Sequence, residues 1–356
     1  MFKFNGRAAE INRVREFRTV NMVKRLGVLT SNRIHLKNYP LNNPTMIFNP
    51  AMAIENTTVK LYARIILGYF TYASSVALIE IDLNDIYGGY LDSSHYPAEI
   101  VVYPDSKYDL WGVEDPRVCQ IDGKLAMTYC GRTVNYFNPA VRTERTLPMM
   151  AILEEPREKW RKRCAFRFPE DLRRFVISDK DAFVVRNRLG ELLLFHRPHL
   201  TDERYYLAVS RLQTEILNQK TSKIEEVYIS DTRVPLEPAD FEMKIGWATP
   251  PIEVGGGEHL VLIHGIDREI ECYRVFAVLM KFDGEVEVTA VTPHYIMEPE
   301  TTYEIYGDRP YTVFPCGAQK IDDKIIISYG AADSAIGLGE IKTDELLSIL
   351  DKNRVF

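Results

Sequence analysis

The chain has 356 residues, 46% apolar and 26% charged, without a low-complexity tract; that profile excludes a disordered protein and leaves room for a sizeable core. With 44 basic against 50 acidic side chains the formal charge is −6, so no global field draws the protein onto nucleic acid or an anionic membrane, and any anion site must be local. Five scattered cysteines (Cys119, Cys130, Cys164, Cys272, Cys316) contain no Cys-x-x-Cys pair, which argues against a disulfide framework or zinc site and favours a reducing cytoplasm.

The first 40 residues read as an N-terminal extension. The segment from Met1 to Arg18 lacks an apolar signal core, no stretch approaches the roughly 20 apolar residues of a membrane span, and a short helix is predicted near Ala8 to Phe17. Beyond it the chain reads mostly as short strands punctuated by turns such as Asp122-Gly123, Leu189-Gly190 and Asp283-Gly284. Five hairpins recur. Their first strands are predicted to begin just after Pro50, Pro116, Asp181, Pro251 and Pro315. Their second strands end near Tyr62, Tyr129, Phe195, Ile263 and Tyr329, at intervals of 67, 66, 68 and 66 residues. The charged stretch Glu154 to Phe175, interrupted at Pro169, reads as a helical insertion, and Asp344 to Leu350 as a C-terminal helix within 342–356, with Thr343 as its N-cap.

A period this steady marks a repeat architecture. Each unit holds about four strands, the blade of a β-propeller, whereas solenoid repeats are shorter and usually helical. The expected fold is all-β: one five-bladed β-propeller domain over 1–356, with short N-terminal, mid-chain and C-terminal helical additions.

In a propeller the inner hairpins converge on one axial pocket. Before the first strands lie Asn49, Glu114-Asp115, Lys180-Asp181, Lys244 and Phe314-Pro315-Cys316-Gly317; after the second strands lie Arg64, Arg132, His196-Arg197, His264 and Asp333. Such a mixture suits a polyhydroxylated substrate held by carboxylates and amides beside an anion held by cations. Each residue also has a structural reading. Asp115 and Arg117 suit a turn and its partner, His196 and His264 packing histidines, Lys244 a solvated charge, and Tyr62, Tyr129 and Tyr329 blade core. Shared phase along the repeat is what lifts the set. No phosphate-binding glycine loop, zinc-protease pair or nucleophile elbow is present, and Gly255-Gly256-Gly257 reads as a hairpin turn.

Phe48-Asn49-Pro50-Ala51, Gly112-Val113-Glu114-Asp115-Pro116-Arg117, His196-Arg197-Pro198, Ala248-Thr249-Pro250-Pro251-Ile252, His264-Gly265, Phe314-Pro315-Cys316-Gly317-Ala318 and Tyr329-Gly330-Ala331-Ala332-Asp333 resemble glycoside hydrolase family 130, in order from Asn49 to Gly339. The resemblance implies a five-bladed propeller and β-mannoside phosphorolysis. Asp115 would be the general acid, acting through a sugar hydroxyl; Asn49, Arg64 and Asp333, with Tyr129 as a further candidate, would hold the mannosyl ring. Arg197, Lys244, His264 and Tyr273 would bind phosphate, together with Lys180. Lys180-Asp181 departs from the Arg-Asn pair of many members and adds a carboxylate near the anion.

The implied reaction is inverting phosphorolysis of β-1,2-mannobiose or short β-mannooligosaccharides, or β-1,4-linked ones, to α-D-mannose 1-phosphate. It uses no cofactor and no metal, inorganic phosphate being the co-substrate. Oligosaccharide and phosphate are the expected partners, and not nucleic acid or membrane. The N-terminal segment and 154–175 are the segments available to bridge a homo-oligomer. A β-mannosidase of the same family, admitted by Asp181, and a non-catalytic glycan-binding propeller are the alternatives. Acceptor choice is expected to rest on rim loops such as Asp92 to Tyr108 and Val134 to Leu147.

Overall fold

The computed structural model describes residues 2–68, 72–154, 159–213 and 223–355. Three strands precede the first hairpin: β1 (Lys3–Phe4), β2 (Lys24–Thr30) and β3 (Ile34–Leu36). The first blade is β4 (Met46–Glu55), β5 (Thr58–Ile66), β6 (Ser74–Asp82) and β7 (Tyr96–Val102), running from axis to rim. The second is β8 (Val113–Ile121), β9 (Lys124–Arg132), β10 (Thr146–Glu154) and β11 (Lys159–Arg167). The third begins β12 (Val176–Arg186), β13 (Leu192–Leu200) and β14 (Leu207–Leu212); β15 (Glu225–Tyr228) then returns to edge the second blade, and β16 (Ser230–Leu236) pairs with β14 in the third.

In the fourth blade the inner strand is split into β17 (Glu242–Trp247) and β18 (Ile252–Gly255), both paired to β19 (Glu258–Asp267), followed by β20 (Tyr273–Lys281) and β21 (Glu287–Val291). Pro250-Pro251 lies at the split, where two residues without an N–H cannot continue the ladder. The fifth blade is β22 (Val313–Ile321), β23 (Lys324–Ala331) and β24 (Ala335–Lys342). Strand β2 pairs antiparallel with β24, so the N-terminus completes the last blade and closes the ring.

The blades stack through apolar faces, giving one core at each of the five interfaces. Phe183 and Phe195 of the third blade pack with Val261 and Phe276 of the fourth. Leu61 and Ile79 of the first pack with Ile326 and Leu338 of the fifth. Tyr62 and Val76 meet Met127 and Tyr129 between the first and second blades. These buried faces come from the strand alternation of each hairpin, and they hold the inner strands rigidly about the axis.

Four expectations are corrected. The 154–175 stretch is not a helical insertion: Lys159–Arg167 is strand β11, helix is confined to Glu170–Arg173, and residues 155–158 lie outside the described set. Trp160, Cys164 and Phe166 turn inward along it, so blade packing overrides helical propensity. Thr343 opens the C-terminal helix Thr343–Lys352 as its first residue, Lys342 holding the cap position. The first 40 residues are woven into the ring. Strand β1 edges the third blade and β3 the first; between them Glu16 and Met22 donate backbone hydrogen bonds to Pro293 and Ile296 beside the fourth. Lastly, the inner strands begin before Pro50, Pro116, Asp181 and Pro315, which lie inside them. The predicted N-terminal helix is observed over Ala8–Arg13.

Candidate active site

The inner-strand ladders break at Pro50, Pro116 and Pro315, and also at Asp181, where no proline is present. Register shifts fall between Phe48 and Ala51, Glu114 and Arg117, Lys180 and Phe183, and Pro315 and Gly317. At three of these bulges the backbone is left-handed at a residue other than glycine: Asn49 (φ 47°), Asp115 (φ 48°) and Asp181 (φ 53°). Asn and Asp are the side chains that tolerate this conformation best, and a bulge re-aims the side chain it carries. The same device, repeated in three blades, turns one amide and two carboxylates onto the axis. Such strain costs on the order of 1–3 kcal/mol per residue and is characteristically stored at functional sites.

They share a cavity of about 600 Å³ whose walls include Asn49, Arg64, Glu114, Asp115, Asp181, Arg197, Lys244, Tyr273 and Asp333. Asp115 Oδ1 accepts hydrogen bonds from Asn49 Nδ2 at 2.8 Å and Arg64 Nη1 at 3.0 Å. Arg117, fully buried, fixes the strained turn from behind, donating to the Asp115 carbonyl at 2.7 Å and to Ala248 and Trp247 carbonyls of the fourth blade. The structural role foreseen for Arg117 is thus observed. Gly330 must be glycine, because a Cβ there would overlap the Asn49 side chain.

Beneath Asp115 lies Glu114, which binds three cations. Its Oε1 accepts from Arg132 Nε at 2.7 Å and Arg64 Nη2 at 3.2 Å, and its Oε2 from Lys180 Nζ at 3.0 Å. Burial alone would push this carboxyl up, but Arg64, Lys180 and Arg132 together hold it well below the usual range. Asp333, on the same side, is pushed up to about 6, chiefly by desolvation and despite Arg64.

Elsewhere on the cavity wall the cations are less compensated. Lys244 Nζ stands 4.6 Å from the Tyr205 ring, and Arg309 lies over Tyr273 at 4.6 Å; among the described residues neither has a carboxylate partner. Burial, then Arg197 and Arg309, bring the Lys244 ammonium down to about 7. Arg197 pairs through Nε with Asp181 Oδ2 at 2.9 Å, while its Nη1 is buried without a hydrogen-bond partner. Unpartnered donors around polar space are what an anion site requires.

Three expectations change. Tyr129 is fully buried in blade core, donating to Asp109 at 2.9 Å, and does not line the cavity. His264 is sealed behind Asp181, its Nε2 3.2 Å from Oδ2, and burial lowers it to about 4, so it is neutral and not a wall of the cavity. Gly246 opposite makes that packing possible, since a Cβ there would overlap both Asp181 and His264. Lys180 lines the cavity but is committed to Glu114. His196, bonded to Asp179 and Ser210, is a packing histidine, as its structural reading held. Of the rim loops, 134–147 contributes Tyr136 and Phe137, whereas 92–108 holds β7 and contributes no lining residue.

Arg309, Asp308, Tyr72 and Tyr205 were not foreseen. Tyr72 donates to Asp308 across the rim. Arg309 had one available signal, being the only basic residue between Glu304 and Phe314, just ahead of the fifth inner strand.

The model of glycoside hydrolase family 130, described as beta-1,4-mannooligosaccharide phosphorylase, matches residues 13–352. The chain belongs to this family. It is an enzyme of the mannoside phosphorylase type. Among curated relatives, a beta-1,2-mannobiose phosphorylase from a Thermoanaerobacter species is 29% identical over 67% of this chain and 69% of its own. A 1,2-beta-oligomannan phosphorylase from the same source is 26% identical over 69% and 73%. A solved structure of a Listeria innocua beta-1,2-mannobiose phosphorylase in complex with beta-1,2-mannobiose superposes with a TM-score of 0.68 and 19% identity, covering 93% of this chain and 97% of the other; it supports the propeller fold. Among the described residues, no helix is long and apolar enough to cross a membrane.

Proposed function

We propose that the protein phosphorolyses β-1,2-mannobiose or short β-1,2-linked oligomannosides with inversion, releasing α-D-mannose 1-phosphate. The observation carrying this reading is that one cavity joins Asp115 to Arg197 and to two cations, Lys244 and Arg309, that have no ion-pair partner among the described residues. An inverting hydrolase needs a second carboxylate to activate water, whereas phosphate is already a nucleophilic anion and needs only positioning and charge stabilisation.

Asp115 is the general acid; Asn49 and Arg64 hold one of its oxygens and orient the other toward the sugar. Asp333 and Arg64 hold the mannosyl ring, and Arg197, Lys244 and Arg309 with Tyr273 hold phosphate on the opposite face. Asp181 is a poor candidate for a hydrolytic base. Burial would raise its pKa, but Arg197, His264 and Arg117 outweigh burial and hold it below the ordinary carboxylate range. The β-1,2 linkage follows the names of the two curated relatives, against the β-1,4 wording of the family description.

The test is incubation with β-1,2- and β-1,4-mannobiose, each with and without inorganic phosphate. Mannose 1-phosphate from the β-1,2 disaccharide only when phosphate is present is expected. Mannose release of equal rate without phosphate would make the protein a mannosidase instead.

A further inference from the structure

Asp181 is an odd neighbour for an anion. Its carboxylate sits 2% exposed on the wall of the cation-rich side of the cavity, at the third of the left-handed bulges. The two oxygens are treated differently. Oδ2 is sealed from the cavity, in ion-pair range of Arg197 Nε at 2.9 Å and beside His264 Nε2 at 3.2 Å, although neither contact has hydrogen-bond geometry. Oδ1 accepts no hydrogen bond from any described residue, the closest approach of Arg117 being Nη2 at 3.9 Å, and it is not among the sealed atoms. An ionised carboxylate is acceptor only, so an anion settling beside Oδ1 must present a proton or suffer repulsion.

We infer that Asp181 makes this site selective for a tetrahedral oxyanion that still carries a hydroxyl, accepting the P–OH of hydrogenphosphate through Oδ1 and turning away sulfate. The inference deepens the proposed function and rests on its phosphate site. Hydrogenphosphate has both faces needed: bare oxygens for Lys244, Arg309 and Arg197, which line the cavity, and one O–H for Asp181. Sulfate has only bare oxygens at neutral pH. Anchoring the hydroxyl at Asp181 also leaves the unprotonated, nucleophilic oxygens to face the sugar, so the residue selects the anion and orients it. Sites built around a specific hydrogen bond discriminate strongly because the mismatched ligand leaves a buried polar group unpaired.

The experiment is calorimetric titration of the full-length protein with inorganic phosphate, sulfate and monofluorophosphate, the last a phosphorus anion with no P–OH at neutral pH. Wild type is expected to bind phosphate about 100-fold more tightly than either of the other two. Asp181→Asn, whose amide can donate to a bare oxygen, is expected to gain sulfate and monofluorophosphate and bring the three within about tenfold. Wild type binding sulfate as tightly as phosphate would overturn the inference, as would a folded Asp181→Asn that keeps the full discrimination. Should that variant fail to fold, the three-anion comparison on wild type decides alone. Selective phosphate binding without mannose 1-phosphate formation in the turnover assay would sink the proposed function and leave the anion selectivity standing.

Discussion

Glu114 and Asp181 line one cavity, both buried, both flanked by arginines, and they do opposite things. Glu114 spends both oxygens on Arg64, Arg132 and Lys180, so its side of the cavity is electrically settled and serves as a rigid base for Asp115. Asp181 engages Arg197 and His264 through one oxygen and leaves the other free, while Lys244 and Arg309 remain without carboxylates among the described residues. Buried charges that are fully paired make structure, and those left partly unpaired make a binding site.

The comparison can be broken most severely at the acid. Asp115→Asn is expected to lower kcat by about 10²–10⁴-fold while leaving the thermal unfolding curve near that of wild type, since Asn keeps the hydrogen bond to Arg64 and tolerates the left-handed backbone. Full activity in that variant would remove Asp115 from the mechanism. Glu114→Gln should instead act on folding, costing about 3–5 kcal/mol in denaturant unfolding because it strands two buried arginines and the partly buried Lys180.

On the other side, Lys244→Ala should raise the apparent KM for phosphate about 10–100-fold with a smaller change in kcat, as expected when a charged hydrogen bond to the anion is lost. The pH dependence sharpens this. Lys244 is brought down to about 7, so the free protein carries its charge below that pH and loses it above. Phosphate favours the protonated form, and wild-type affinity should therefore fall as pH rises through about 7, relative to Lys244→Arg, which stays charged. Parallel pH curves for the two proteins would show that Lys244 does not face the anion. The smallest effect is expected at Tyr129→Phe, which loses one buried hydrogen bond to Asp109, costs about 1 kcal/mol of stability and leaves the KM for mannoside unchanged.

The repeat made the fold legible, because each hairpin must bury its own alternating faces against two neighbours, and five such units of equal length close only as a ring. It also brought Asn49, Arg64, Asp115, Arg197, Lys244, Tyr273 and Asp333 to one cavity, as their common phase implied. Tyr129, a candidate only through the resemblance, is buried blade core, and phase misled at His264, which is packed away behind Asp181. The 154–175 stretch misled for another reason: its charges suggested an exposed helix, yet Trp160, Cys164, Ala165 and Phe166 are buried along an outer strand.

By itself, then, the sequence determined the five blades, the family and most of the residues that meet at the axis, because these follow from local pattern and spacing. The tertiary structure alone decided which charges cancel and which stay available. It showed the bulges that turn Asn49, Asp115 and Asp181 inward, the three cations gathered on Glu114, the neutral His264 behind Asp181, and Arg309 arriving from the fifth blade. Ion pairing depends on distances through space between residues far apart in the chain, and on how much water the packed blades exclude. Neither is written in the order of the amino acids.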